Sequence, residues 1–181
     1  VMKSVLISIQ PKWCELIAAG IKTVEVRKTK PTLETPFKCY IYQTKMKWFF
    51  HLLRQKNSIL ANRLFLSKSK VIGEFVCNCI ISRCEMGNAD IAEQRGLIKR
   101  EKLFEYSNGK ELFGWNISDL VIYDKPKELG EFKKPCTHSK LCENCKYSIN
   151  EQLPFGEISM GCERALTRPF QSWGYIEDLG V

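Results

Sequence analysis

Between Ser4 and Thr29 the hydrophobic period of the chain changes twice, and this limits the folds open to it more than any other feature. SVLISIQ is a nearly unbroken apolar run, the pattern of a buried strand. PKWCELIAAG then places a proline at a helix start, Trp13, Leu16 and Ile17 at i, i+3, i+4 spacing, and Gly20 as a helix stop. TVEVRKT alternates apolar and polar residues as a second strand, and FKCYIYQT reads as a third after a proline-containing loop. The chain therefore opens as strand, short helix, strand, strand.

The rest keeps to short elements. KVIGEFVCNCIISRCE reads as a long strand in which Gly73 marks a bulge or a close backbone approach. Asp90 with Glu93 resembles a helix-start pair, and residues 90–105 read as helix. ELFGWNISDLVIYDKP returns to strand or mixed structure, limited by Pro126, and RALTRPFQSWGYIEDL is a proline turn followed by a short aromatic strand. Residues 45–66 read as one or two helices, with Met46, Phe49, Phe50 and Leu53 as a core-packing stripe. Residues 133–163 read as a cysteine-rich loop. Short strands interrupted by helices predict an α+β fold, a small β-barrel or strongly curved sheet with helices outside it. At 181 residues and 44% hydrophobic, one domain over 1–181 with one sizeable core is expected.

Charge narrows the function. Residues 22–70 hold 12 Lys/Arg against 2 acidic residues, Glu25 and Glu34, whereas the whole chain is only +8. A basic excess confined to one segment is the footprint of a polyanion partner, although a solvated basic helix has the same composition. No N-terminal run has the basic flank and apolar core of a signal peptide, and no apolar run approaches the roughly 20 residues needed to span a bilayer. A soluble, cytoplasmic protein without a membrane partner is expected, and no feature calls for an obligate protein partner. Nine cysteines in such a chain argue against a disulfide framework. Cys14, Cys39, Cys77, Cys79 and Cys84 lie in apolar patterns, as small buried hydrophobes.

Two constellations carry chemistry. The first is Gly20, Lys22, Glu25 and Arg27, spaced G-x-K-x-x-E-x-R. Gly20 ends the helix with a positive φ, and Thr23, Glu25 and Arg27 then share one strand face while Val24 and Val26 face the core. Lys22, at the turn, reaches across the same face. Arg27 is a planar fork suited to phosphate or carboxylate, Lys22 is a mobile point charge, and Glu25 suits a base or an acceptor for a nucleobase amino group. The plainer reading is a surface ion-pair ladder contributing about 0–1 kcal/mol.

The second is Cys136, Cys142, Cys145 and Cys162, spaced C-x5-C-x2-C-x16-C. The Cys142/Cys145 pair has the spacing that aims two thiolates at one tetrahedral zinc, and Cys136 (or His138 in its place) with Cys162 would complete a structural site. A redox dithiol, free thiols or an iron–sulfur cluster are the alternatives. With only two histidines, a histidine-based triad is not expected, and no Walker or dinucleotide glycine fingerprint occurs. Trp173 and Tyr175 suit a terminal strand's core better than a base-stacking platform.

SIQPKWCELIAAGIKTVEVRKTKP, PFKCYIYQTK and VIGEF together resemble the ASCH domain family, whose fold is PUA-like and whose signature is matched at Gly20, Lys22, Glu25 and Arg27. ISDLVIYDKPKEL and RPFQSWGYIE look like the phage- or prophage-type members. The resemblance implies an RNA- or modified-nucleotide-binding module whose cleft is lined by Gly20, Lys22, Thr23, Glu25, Arg27 and Lys28. Some relatives are small amidohydrolases acting on N4-acetylcytidine-like nucleosides, and others are linked to RNA cleavage. By that similarity a hydrolase would use Lys22 and Glu25, with Glu74 entering from a neighbouring strand, although those amidohydrolases carry threonine where Glu25 stands. An interaction protein without a nucleic-acid ligand is the remaining option.

Overall fold

The computed structural model describes residues 3–45, 69–136, 148–152, 158–162 and 164–180, the strands within 148–162 by their backbone alone. In chain order the elements begin with β1 (Lys3–Ile9), α1 (Pro11–Ala18), β2 (Val24–Arg27), β3 (Phe37–Gln43), β4 (Val71–Cys77) and β5 (Ile80–Ile81). They continue with α2 (Ala89–Gly96), α3 (Arg100–Ser107), β6 (Phe113–Asn116), β7 (Ser118–Lys127), a 3-10 turn (Leu129–Glu131), β8 (Ser148–Gln152), β9 (Ile158–Cys162) and β10 (Trp173–Glu177). Among the described residues no helix is long and apolar enough to cross a membrane.

β1 is buried from Ser4 to Ile9 because both faces of its sheet are covered. Val5, Ile7 and Ile9 join a cluster with Ile17, Ile41, Phe75 and Trp115, while Leu6 joins Tyr40, Phe132, Leu166 and Ile176 on the other side. The five-stranded sheet runs β10-β1-β3-β4-β7, with β1 parallel to β3 and antiparallel to β10. A second sheet runs β2-β6-β5, and β8 pairs with β9.

The described strands do not close into the expected barrel. At one corner the two sheets are continuous: Ile117 links β6 to β7, its N–H bonded to the Thr23 carbonyl, and the Asn116 N–H reaches the Cys79 carbonyl. On the other side no backbone ladder joins β2 to β1 or β10 among the described residues. Side chains span that seam instead. Arg27 Nη2 donates to the Ser8 carbonyl at 2.7 Å, Trp173 Nε1 to Thr29 Oγ1 at 3.0 Å, and the Thr32 N–H to Tyr175 Oη at 2.8 Å.

Further expectations are corrected. The helix expected over 90–105 is two helices, because Leu97 adopts a left-handed conformation (φ 58°) that ends α2. The long strand after Lys70 breaks at Asn78–Cys79, which leaves Cys79 exposed while Cys14, Cys39, Cys77 and Cys84 are buried. Burial pushes the Cys77 thiol up to about 12 and Cys84 to about 11, so both stay protonated. The segment 133–163 is not all loop, since β8 and β9 form an antiparallel pair within it. Of the helical stretch expected over 45–66, all but Lys45 lies outside the described residues. Gly73 behaves as anticipated: a Cβ there would collide with the Val121 carbonyl oxygen, and the register shifts between Val71 and Gly73. Pro126 does not end the strand as expected: it lies within β7, which continues to Lys127, and the place of β7 at the sheet edge is where a residue without an N–H is tolerated.

The second face of the large sheet carries a polar cluster that pins the segment after β10. Tyr40 Oη donates to Asp178 Oδ1 at 2.7 Å and Ser4 Oγ donates to Oδ2 at 3.0 Å. Burial alone would raise the Asp178 carboxyl, but these hydrogen bonds, the Gly180 N–H and the Lys38 charge outweigh it and hold it below its ordinary value. A carboxyl depressed in the folded state contributes stability that is present above its unfolded pKa and is lost as pH falls through the folded one. Thermal melts should therefore show a destabilisation setting in below about pH 4, and Tyr40→Phe should weaken that acid dependence. An unchanged pH profile in Tyr40→Phe would contradict this assignment.

Candidate functional site

The site begins at the end of α1. Gly20 takes φ +71°, its N–H bonds to the Ile17 carbonyl, and the Ile21 N–H reaches back to Leu16. These two bonds are a Schellman motif, which turns the chain sharply from helix to strand. The turn leaves Lys22 pointing inward: its side chain is 1% exposed and Nζ donates to the Gly96 carbonyl at 2.6 Å. An ammonium on the last carbonyl of α2 also meets the negative end of that helix.

Along β2 the period of two divides the side chains as expected. Val24 and Val26 pack beneath α2 and α3 with Ala92, Leu103 and Leu112. On the opposite face Glu25 joins both cations, Oε2 lying 3.4 Å from Lys22 Nζ and Oε1 3.0 Å from Arg27 Nη2. Arg27 is fixed further by the Ser8 carbonyl and by Ser172 Oγ at 3.3 Å, while its buried Nε finds no acceptor among the described residues.

This is not a surface ladder. Glu25 is 6% and Arg27 9% exposed, so water does not screen the three charges and their desolvation is a real cost. Burial lowers the Lys22 ammonium pKa below its ordinary value, Glu25 opposes that shift, and Arg27 adds to it.

The trio lies at the inner side of a cleft of about 700 Å³. Its walls include Ser8 of β1, Gln10 at the N-cap of α1, Trp13 of α1, Lys28 just after β2, and Lys102, Glu105 and Tyr106 from α3. Lys12 Nζ and Lys22 Nζ stand 4.3 and 4.8 Å from the Trp13 ring centroid, and Lys28 Nζ stands 4.8 Å from that of Tyr106. Burial raises the Tyr106 hydroxyl pKa, with Arg27 and Glu25 near enough to act on it in opposite directions.

Of the residues expected at the cleft, Lys22, Glu25, Arg27 and Lys28 line it. Gly20 and Thr23 support it from behind. Gly20 makes the turn, and Thr23 exchanges hydrogen bonds with Arg95, accepting from Nε at 3.1 Å and donating its N–H to the carbonyl at 3.0 Å. The structure does not bring Glu74 to the cleft. It lies on β4 in the polar cluster on the sheet's second face, accepting from Tyr123 Oη and 3.5 Å from Lys38 Nζ. Its strand neighbours Gly73 and Phe75 face the opposite way by period two, which sends Glu74 to the far side. Trp173 and Tyr175 pack against the core and hydrogen-bond across the seam.

Trp13, Tyr106 and Lys102 are among the cleft residues that sequence reasoning missed. Trp13 was absorbed in the apolar stripe of α1, and its ring does pack on the core while lining the cleft. Nothing in the helix REKLFEYS singles out Tyr106, since Leu103 and the second aromatic Phe104 stand beside it. Of the metal ligands expected, Cys142, Cys145 and His138 lie outside the described residues, and Cys162 is described only as a backbone partner of Ser148. Cys136 is placed, its N–H donating to Glu177 Oε1 at 3.1 Å. Among the described residues no group of three or more His, Cys, Asp or Glu is placed to hold a metal ion.

The model of one family, the ASCH domain, matches residues 7–131. Among solved structures, the crystal structure of ASCH from Zymomonas mobilis superposes with a TM-score of 0.50 at 17% identity, over 70% of this chain and 73% of that one. A serine-to-alanine mutant of the same Zymomonas protein gives a TM-score of 0.51 at 17% identity, over 70% and 74%. At such identity the likeness concerns the fold. No curated protein matches the sequence.

Proposed function

This chain belongs to the ASCH domain family, and from that premise we propose that its cleft binds RNA or a modified nucleotide. The supporting observation is the inward-facing trio of Lys22, Glu25 and Arg27. Three ionisable side chains are held almost out of water at the inner side of an open cleft, where a chain selected only for stability would gain as much from apolar residues. The trio supplies donors and an acceptor at fixed positions, the equipment for reading a base edge.

Geometry changes the division of labour expected from sequence. Lys22 and Arg27 are committed to Glu25 and to backbone carbonyls, so phosphate falls to the outer cations, Lys28 and Lys12, together with Lys102, whose pair with Glu105 is exposed and exchangeable. Phosphate contacts release counterions, so affinity should fall with salt. For three contacts to a single strand, a rise from 50 to 200 mM salt should weaken binding about 20-fold, read by fluorescence anisotropy of labelled single-stranded RNA. Affinity independent of salt, or no RNA binding at all, would overturn the reading.

A hydrolase in the same cleft, acting on an N4-acetylcytidine-like nucleoside or on the RNA chain, is the second reading. It draws on the depressed Lys22 ammonium, which burial brings nearer to the range where a lysine exchanges protons. Glu74 takes no part in it, because it faces the other side of the sheet. The same incubations analysed for cleaved or deacylated product separate the two readings.

A further inference from the structure

We infer that the main chain of Val26 is a specificity-determining element of the cleft: its N–H and C=O lie side by side on the free edge of β2 and fit a ligand group that carries an acceptor beside a donor, as the –CO–NH– edge of a lactam does. This rests on the proposed RNA- or nucleotide-binding reading and names the group by which the ligand is read.

The ladder fixes which way each main-chain group of β2 points. β2 pairs with β6 without a register shift, Val24 opposite Asn116 and Val26 opposite Gly114. In an antiparallel pair, opposed residues alternately exchange both hydrogen bonds and exchange none. The Ile117 N–H donates to the Thr23 carbonyl at 2.9 Å, so Thr23, Glu25 and Arg27 are the positions turned toward β6. Val24 and Val26 alternate with them, and their N–H and C=O point away from β6. The far side of β6 has the matching phase, because the Asn116 N–H donates to the Cys79 carbonyl, just before β5, at 3.1 Å.

Among the described residues, no strand pairs with the outer edge of β2 and no hydrogen bond reaches the N–H or C=O of Val26. Val24 differs, since its carbonyl faces Gly96 of α2 and lies 3.5 Å from where a Cβ on that glycine would stand. Val26 comes next along the edge and lines the cleft. Its side chain packs under α2 and α3 with Leu103, so the main chain is what it offers to the opening. Val26 is only 4% exposed, and main-chain groups so deeply buried are nearly always paired in folded proteins. A donor and an acceptor left open together at the inner side of a cleft are matched by a ligand that brings the complementary pair.

The length of the edge limits what that ligand is. α2 covers Val24 and β2 ends at Arg27, so the open edge is one residue long. An added strand needs several residues in register, whereas one planar amide-like group needs only this pair. Lys28 and Lys102 line the same cleft and can meet a phosphate carried by that group.

The test follows single amide protons by NMR hydrogen exchange, with oligouridine as the probe because uracil carries the –CO–NH– edge. In the free protein the Val26 N–H should exchange at least tenfold faster than those of Glu25 and Arg27, and oligouridine should slow it at least tenfold. A strand of 3-methyluridine, whose methyl replaces the N–H, should bind about tenfold more weakly. Replacing the Val26 amide by an ester removes its N–H and keeps the side chain, and is reached by joining synthetic 1–38 to expressed 39–181 at Cys39; it should also weaken oligouridine binding about tenfold. A Val26 N–H as protected as its neighbours in the free protein would overturn the inference, since the fold would then satisfy it. Binding of other RNA but not oligouridine, equal binding of the two uridine strands, or unchanged affinity in the ester chain would overturn it while leaving the RNA-binding reading intact. Failure of every RNA to bind would overturn that reading as well.

Discussion

Glu25→Gln lowers the unfolding free energy by about 3–5 kcal/mol, the cost of leaving buried charge uncompensated. Lys22 and Arg27 are both almost fully enclosed, and among the described residues Glu25 is the only carboxylate within ion-pair distance of either. Urea titration followed by circular dichroism is the measurement, and a loss under about 1 kcal/mol would mean that water screens the trio after all. A companion variant separates stability from function. Lys22→Met, Glu25→Leu and Arg27→Met together remove the charges and their desolvation cost, so this triple variant should recover most of the stability that Glu25→Gln loses. It should nevertheless lose most of its RNA affinity, keeping only the salt-sensitive part that the outer cations Lys12, Lys28 and Lys102 supply. Single alanine substitutions in the trio are poor probes of function for the same reason, since lost binding would be inseparable from a weakened fold. Lys28, Lys102 and Tyr106 are better placed.

The next largest effect is expected at Trp115. Its side chain is fully buried and packs edge-on against Phe37 at 5.8 Å and Trp173 at 5.6 Å, which joins β6 to both halves of the large sheet. Trp115→Ala should lower stability by about 3–5 kcal/mol through lost burial and the cavity left behind. Trp115→Phe should cost less than about 1.5 kcal/mol, because its Nε1–H is buried without an acceptor among the described residues and phenylalanine has no such donor to strand. A phenylalanine variant as unstable as the alanine one would show that this N–H is satisfied.

The parts of the site legible in the sequence were those set by local geometry. The Gly20 stop, the reach of Lys22 to the face of Glu25 and the alternation of Glu25 and Arg27 against Val24 and Val26 follow from a helix cap and a period of two, and all are found. Their burial was not legible. It depends on the Gly96 carbonyl, the Ser8 carbonyl and Ser172 Oγ, which arrive from distant parts of the chain. The unclosed barrel had the same origin: strand patterns identify strands, whereas pairing across the seam is set by whatever packs there. The helix break at Leu97 was foreshadowed by Gly96 before it, a residue that weakens a helix interior and marks its end. Trp13 was read correctly as a core residue and incompletely as only that.

The seam between β2 and the end of the chain has a consequence for anyone defining a minimal unit. The family match ends at residue 131, yet Ser172 holds Arg27, and Trp173 and Tyr175 anchor Thr29 and Thr32 across the gap. β10 also covers the free edge of β1, from which Ser8 reaches the same guanidinium. A fragment cut at residue 131 would keep every signature residue and discard the scaffold that orients one of them. In this protein the motif and its support are encoded at opposite ends of the chain, so the site can be transplanted only with both.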